Sequence, residues 1–292
     1  MPNPPPAAAP WNVSLFTACA PWLPLAELAP VCVAAGVRGL DLAVKPHDPD
    51  PAKPRNFWDN NAAVIPMQTL DASVRAAADV LGGHGLTCRM LCSYLQPSDL
   101  ADARRMAAAA QVLGAPMVRI WSPRPAAGQA RDQVRAARES WRELAAIGAD
   151  HSVRFVLELH DHTITSSVSA ALRLIDGLPP EQVGVILDVA NVAIQGNEPL
   201  ALGIDLLGPY LAHVHVKDVV FRPGPGWNGQ ESAFVPLGQG TIRWPLCLKL
   251  LRESGYAGWL ALENFTGLER GPQRIAADAA WLQEAIRESS HA

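Results

Sequence analysis

Four apolar runs in the second half of the chain each end in a group that can hold a metal or move a proton. They are Glu158 in VLELH, Asp188 in VILDVAN, His215 in HVHVKD and Glu263 in LALENF. Their separations are 30, 27 and 48 residues. The first two match one strand-plus-helix repeat of ~30 residues, and the third is stretched by an insertion. Two glutamates, an aspartate and an imidazole offer hard oxygen donors and one nitrogen, a set suited to Mn²⁺, Mg²⁺, Zn²⁺ or Co²⁺ rather than to copper or an iron–sulfur cluster. Taken singly, each is explained by a strand-end carboxylate bonded to a loop backbone. Four in succession are explained more economically by one divalent cation, because a charge ending an apolar strand needs a counter-ion or a dense hydrogen-bond shell.

The elements that must position these groups follow one pattern: a short apolar or β-branched run, a polar loop, then an Ala/Leu-rich helical stretch. Strands are expected at Val13 to Ala18, Val37 to Ala43, Thr87 to Ser93, Met117 to Trp121, Val153 to His160, Val183 to Asp188, Leu211 to Lys217 and Gly258 to Glu263. Helices fit between and after them at Leu25 to Ala35, Ala72 to Leu81, Asp99 to Leu113, Arg131 to Ile147, Val168 to Leu178, Leu200 to Leu207, Pro245 to Ser254 and Ile275 to Glu288. Ser98 suits an N-cap, and Gly114 and Gly255 suit helix ends. Eight such units without a visible linker predict an α/β chain folded as a single (β/α)₈ TIM barrel over residues 12–292, after a disordered leader at 1–11. A doubly wound sheet is the alternative, but no glycine-rich dinucleotide or P-loop turn follows any strand. Two connections are long: Lys45 to Thr69, with Trp58, Asp59, Asn60 and Asn61, and Asp218 to Arg243, with Arg222, Trp227, Asn228 and Glu231. Both follow strand C-terminal ends, where barrel enzymes build their sites, and either could cover a polar ligand.

Strand alternation ranks the other polar residues. If His215 points inward, so do His213 and Lys217. His213 would lie one layer deeper as a supporting residue, and Lys217 at the mouth would steady an oxyanion or pair with an acid such as Asp218. His160 shares the face of Glu158 and could reach a substrate. Asp41, Arg119 and Trp121 end or nearly end strands and could bind hydroxyls, orient a carboxylate and form an apolar wall. Cys88 and Cys92, four apart in one strand, are expected on a common face, as core residues rather than a redox pair.

The motifs LELH, VGVILDVANV with QGNEP, LAHVHVKD, VPLGQGTIRW and GYAGWLALENF resemble the sugar phosphate isomerase/epimerase family. The likeness spans about residues 13–288 and is densest from Glu158 to Glu263. It implies a xylose isomerase-like barrel, the fold of ketose 3-epimerases, hydroxypyruvate isomerase and inosose dehydratase, and more distantly of AP endonucleases. By resemblance, Glu158, Asp188, His215 and Glu263 bind one divalent metal, with Mn²⁺ the first choice, and Glu158 and Glu263 serve as acid and base. Ketose epimerases commonly carry a substrate-binding His three residues after the metal Asp; here Asn191 stands there, as a ligand for a substrate hydroxyl or a cap of the loop. Arg222 lies near the position of a sugar-contacting arginine. The expected substrate-binding residues are thus Asn191, His160, Arg222, Lys217 and Trp121.

Composition narrows the function further. A formal charge of −4 from 24 basic and 28 acidic side chains gives no cationic field for nucleic acid or an anionic membrane. Five cysteines, an odd and mostly dispersed set, do not form a disulfide framework. The start MPNPPPAAAPWN lacks the basic and apolar parts of a signal peptide, so a cytoplasmic protein is expected. The reading is a metal-dependent isomerase or epimerase of a sugar, sugar phosphate or keto-polyol working through an enediolate, possible as a homodimer or homotetramer, with a dehydratase of the inosose type as runner-up. An AP endonuclease-like enzyme would need further early histidines and a basic groove, and a non-catalytic metal- and sugar-binding barrel would lack turnover.

Overall fold

Alternating apolar runs and Ala/Leu-rich stretches fold here as one strand and one helix per repeat. In the computed structural model, which describes residues 11–46, 50, 52–196, 198–226 and 228–289, eight parallel strands close on themselves. In chain order they are β1 Val13–Phe16, β2 Gly39–Lys45, β3 Thr87–Cys92, β4 Met117–Ile120, β5 Arg154–Glu158, β6 Val183–Asp188, β7 Leu211–Val216 and β8 Leu260–Leu262. Each pairs with its sequence neighbours, and β1 pairs with both β2 and β8, which shuts the barrel. The eight intervening and closing helices are α1 Leu25–Ala34, α2 Leu70–Gly83, α3 Leu100–Leu113, α4 Ala130–His151, α5 Val168–Ile175, α6 Leu200–Leu207, α7 Trp244–Glu253 and α8 Pro272–Glu288.

Two apolar layers divide at the strand wall. The larger lies between the outer face of the strands and the helices and includes Leu40, Leu42, Val118, Trp141, Leu187, Val214, Val216 and Trp244. The smaller fills the barrel with Phe16, Ala43, Met90, Cys92, Met117, Val156 and Ile186. Alternation therefore sends Val214 and Val216 outward and leaves His213 and His215 for the interior, both fully buried.

Several local expectations change. Asp99, not Ser98, is the N-cap of α3. Gly114 takes the left-handed conformation that ends this helix, with φ of 61°. Cys88 and Cys92 do not share a face: the β2–β3 register slips between Leu40 and Asp41, so Cys88 joins the outer layer and Cys92 the interior. All five thiols are free and buried. The leader expected at 1–11 falls mostly outside the described residues, as does Trp227; Trp11, its last residue, is described and donates its indole N–H to the Tyr256 carbonyl at 2.8 Å. Among the described residues, no helix is long and apolar enough to cross a membrane.

The long connection after β7 is an antiparallel hairpin, Asp218–Pro223 against Gln230–Val235. Its base is fastened by Asp218, whose buried carboxylate accepts from the backbone N–H groups of Val219, Gly238, Gly240 and Ile242 at 2.9 to 3.2 Å. The connection after β2 places Ile65–Pro66 beside the end of β2.

Candidate functional site

The ends of the last four strands converge. Glu158 ends β5, Asp188 ends β6, His215 lies near the end of β7, and Glu263 directly follows β8. Their ligand atoms lie within 4.8 Å of one another, and all four residues are buried. His215 Nδ1 is the common point, 3.1 Å from Glu158 Oε1, 3.2 Å from Glu263 Oε2 and 3.9 Å from Asp188 Oδ2. The Phe16 ring lies parallel to the imidazole, 15° between planes at 6.1 Å, and so limits its rotation.

Two cations brace the carboxylates from the sides. Arg119, on β4, donates from Nη1 to Glu158 Oε2 at 2.7 Å, and Lys217 Nζ spans Asp188 Oδ2 at 2.6 Å and Glu263 Oε2 at 2.8 Å. Lys217 therefore pairs with residues at the ends of the two strands that flank β7 rather than with Asp218, its chain neighbour, which alternation turns outward to latch the hairpin. Asp188 also caps the short helical turn Val189–Asn191. Asn191 returns to it, donating its backbone N–H at 2.9 Å and its amide N–H at 2.8 Å. Asn191 thus orients Asp188, and its side-chain oxygen has no partner.

The protonation states follow from this packing. Burial and the Glu263 charge push the Glu158 carboxyl up, but Arg119 and His215 outweigh them and hold it at about 2. Glu263 is also buried, yet His215 and Lys217 hold it well below the usual carboxylate range. Burial lifts Asp188 to about 7 against the pull of Lys217. Burial disfavours the His215 imidazolium, but Glu263 and Glu158 overcome it and raise its pKa to about 10. The glutamates thus favour a proton on His215. A divalent ion at the same point would replace that proton with a stronger charge, and the three oxygens and one nitrogen there are donors such an ion accepts. The residues fit a single divalent cation.

A half-exposed rim surrounds this floor. Trp58, Tyr94, Trp121 and His160 form a chain of rings with centroids 4.8, 5.4 and 4.6 Å apart. Arg119 lies 4.8 Å from the Tyr94 ring and 5.2 Å from the Trp121 ring. His160 Nδ1 bonds to Asp161, at 2.8 Å to its carbonyl and 2.9 Å to its carboxylate, and so stands at the rim rather than in the cluster. Arg222 is exposed on the hairpin opposite Glu231 in the ladder, outside the group of four. Lys45 and Tyr94 were not singled out from the sequence. Lys45 donates to the carbonyls of Phe57 and Trp58 and sits 4.2 Å over the Trp58 ring. Alternation from Asp41 through Ala43 would have found it.

The model of the xylose isomerase-like TIM barrel family matches residues 29–285. The chain belongs to that family. Among curated members, it is 26% identical over 157 residues to the L-ribulose-5-phosphate 3-epimerase UlaE of Salmonella paratyphi A, a match covering 53% of this chain and 52% of that protein. The chain thus spans about half the length of the curated relatives it matches. Solved xylose isomerase-like barrels superpose over nearly the whole chain. The 3-keto-D-glucoside 4-epimerase of E. coli gives a TM-score of 0.71 at 16% identity, covering 94% of this chain and 99% of that one. A xylose isomerase-like TIM barrel protein from Mycobacterium smegmatis, in complex with magnesium, gives 0.68 at 18% identity, covering 96% and 97%.

Proposed function

We propose that this barrel is a divalent-metal-dependent isomerase or epimerase of a keto-sugar or keto-sugar phosphate. The observation that carries the reading is the convergence of Glu158, Asp188 and Glu263 on His215 Nδ1 in a buried site; the epimerases among the relatives are consistent with it. Glu158, Asp188, His215 and Glu263 would hold the ion, with Mn²⁺ the first choice. A divalent cation bound there supplies a Lewis acid that makes the C–H beside a ketose carbonyl acidic.

The chain's own residues supply the proton chemistry. Glu158 and Glu263 are ionised and therefore ready to accept a proton. They project from strands three apart around the barrel, so they approach a bound sugar from different sides. Removal of a proton by one and its return by the other inverts a stereocentre; return to the neighbouring carbon moves the carbonyl. Arg119 keeps Glu158 in its basic form, and Lys217 does the same for Glu263 while presenting positive charge to an oxyanion. Asn191 fixes the aspartate. Trp121 and His160 line the rim that a sugar would cross, and Arg222 would reach it from the hairpin. A cytoplasmic location fits the five free thiols, and a homodimer or homotetramer belongs to the same reading.

Solvent exchange tests the assignment directly. The Mn²⁺-supplemented protein is incubated in deuterated water with a panel of ketoses and ketose phosphates, and deuterium beside the carbonyl is read by NMR. Incorporation is expected in at least one substrate and should fall by about 10²- to 10⁴-fold in Glu158→Gln and in Glu263→Gln. Undiminished exchange in both variants defeats the acid/base assignment.

A further inference from the structure

Beneath the carboxylates, in the buried interior of the barrel, lies a second polar group that the proposed chemistry does not use. Ser14, Asp41 and His213 are each fully buried. His213 Nε2 is 2.9 Å from Asp41 Oδ2, and Ser14 donates its hydroxyl to the same oxygen at 3.2 Å. The other carboxylate oxygen, Asp41 Oδ1, is buried without a partner. So is the other ring nitrogen of His215, Nε2. One ligand atom each from Asp41, His213 and His215 lie within 4.8 Å of one another, and the two imidazoles meet edge to face at 5.8 Å.

His213 Nδ1 is unpartnered as well, but among the three atoms Asp41 Oδ1 is the anionic acceptor, and it is complementary to His215 Nε2. His215 presents Nδ1 to Glu158 and Glu263. When the Nδ1 lone pair serves as a ligand, the neutral ring must carry its proton on Nε2. An N–H in this interior requires an acceptor, and Asp41 Oδ1 is an anionic acceptor that requires a donor. His213 and Ser14 satisfy only Oδ2, so a purely structural role for the aspartate leaves half of its carboxylate unexplained.

We infer that Asp41 is a positioning residue for His215: its free oxygen receives the Nε2 proton of the metal-ligating tautomer through one bridging water, and thereby sets the affinity of the site for its cation. Metal-bound histidines are commonly oriented in this way by a carboxylate behind them. The inference rests on the proposed role of His215 as a ligand and assigns to Asp41 a part different from the hydroxyl binding expected from the sequence.

The test is Mn²⁺ binding to the full chain, read from the electron paramagnetic resonance signal of free Mn²⁺, in the parent protein, Asp41→Asn and Ser14→Ala. The parent should bind one ion, Asp41→Asn should bind it about 10- to 100-fold more weakly, and Ser14→Ala should match the parent. In ¹⁵N-histidine NMR of the Mg²⁺-loaded parent, His215 should show a slowly exchanging, downfield Nε2 proton. That signature decides the question even if Asp41→Asn fails to fold. Equal affinity in Asp41→Asn, or a freely exchanging Nε2 proton, overturns the inference alone. Absence of Mn²⁺ binding in the parent overturns both the inference and the metal reading on which it stands.

Discussion

Arg119 and His215 together hold Glu158 ionised. Without Arg119, burial and the Glu263 charge would meet less opposition, and the carboxyl would rise from about 2. Since a base must be ionised to take a proton, the acid limb of the exchange rate in Arg119→Gln should move to higher pH by more than about one unit. Arg119→Lys keeps the charge and should move it far less. The measurement is the pH profile of deuterium incorporation in both variants; coincident acid limbs would remove Arg119 from this role. The identity of the four convergent residues was legible because a carboxylate or imidazole ending an apolar strand stands out in one dimension. Their partners were not. The sequence offers Asp218 as the obvious mate for Lys217, yet one step along a strand reverses the face, and the true mates lie 29 and 46 residues away in the chain. Asn191 illustrates the same limit: its amide N–H meets Asp188 at 2.8 Å, a contact that its place in the sequence does not indicate.

At the scale of elements, the eight strands and eight helices are placed within a few residues because each has its own local signal: apolar runs for the strands, long Ala/Leu-rich stretches for the helices. The second strand of the hairpin after β7 has neither. Its burial pattern is exposed almost throughout Gln230–Val235, so no apolar alternation marks it, and its turn is rich in glycine and proline. The base of the hairpin is fastened chiefly by one side chain, with Thr241 adding bonds from its N–H and hydroxyl to the Val219 carbonyl. Asp218 gathers four backbone N–H groups at the two ends of the excursion, and any Cβ at Gly240 would run into that carboxylate and meet the Val219 carbonyl at 2.7 Å. Asp218→Ala should therefore cost about 2 to 3 kcal/mol, less than the sum of four charge-assisted bonds because water can replace some of them. Denaturant unfolding measures the loss, and limited proteolysis should show a new cut within 223–230. Unchanged stability and an unchanged digest would mean that the hairpin holds its place without the latch. The slip that separates Cys88 from Cys92 is of the same kind, since a bulge breaks the alternation rule without a composition signal.

At the scale of the whole molecule, closure was legible from eight repeats together with the lack of a glycine-rich dinucleotide or P-loop turn after any strand, and the first strand does pair with the last. What counting could not supply is the charge balance that closure imposes, with three carboxylates, an imidazole, Arg119 and Lys217 in one buried volume. Without a divalent ion, the folded state favours a proton on His215 up to about pH 10 and on Asp188 up to about pH 7. Stability from His215 is complete below its unfolded value of 6.5 and is lost as pH rises through 10. That from Asp188 is complete below 3.8 and is lost as pH rises through 7. Glu158 has the opposite sign: its contribution is complete above 4.5 and is lost as pH falls toward 2. The ion-free protein should therefore be most stable on the acidic side of neutrality. Binding a divalent ion requires the other forms, neutral His215 and ionised Asp188, so its affinity should rise with pH by up to about tenfold per unit for each proton displaced. Each tenfold gain adds about 1.4 kcal/mol to stability at fixed excess ion, or about 2 to 4 °C in a chain of this size. The rise in Tm on adding Mn²⁺ should thus be larger at pH 8 than at pH 5.5, and His215→Ala should shrink the difference. Calorimetry with and without Mn²⁺ at the two pH values measures it, and an equal gain at both would show that the ion enters without displacing protons from the site.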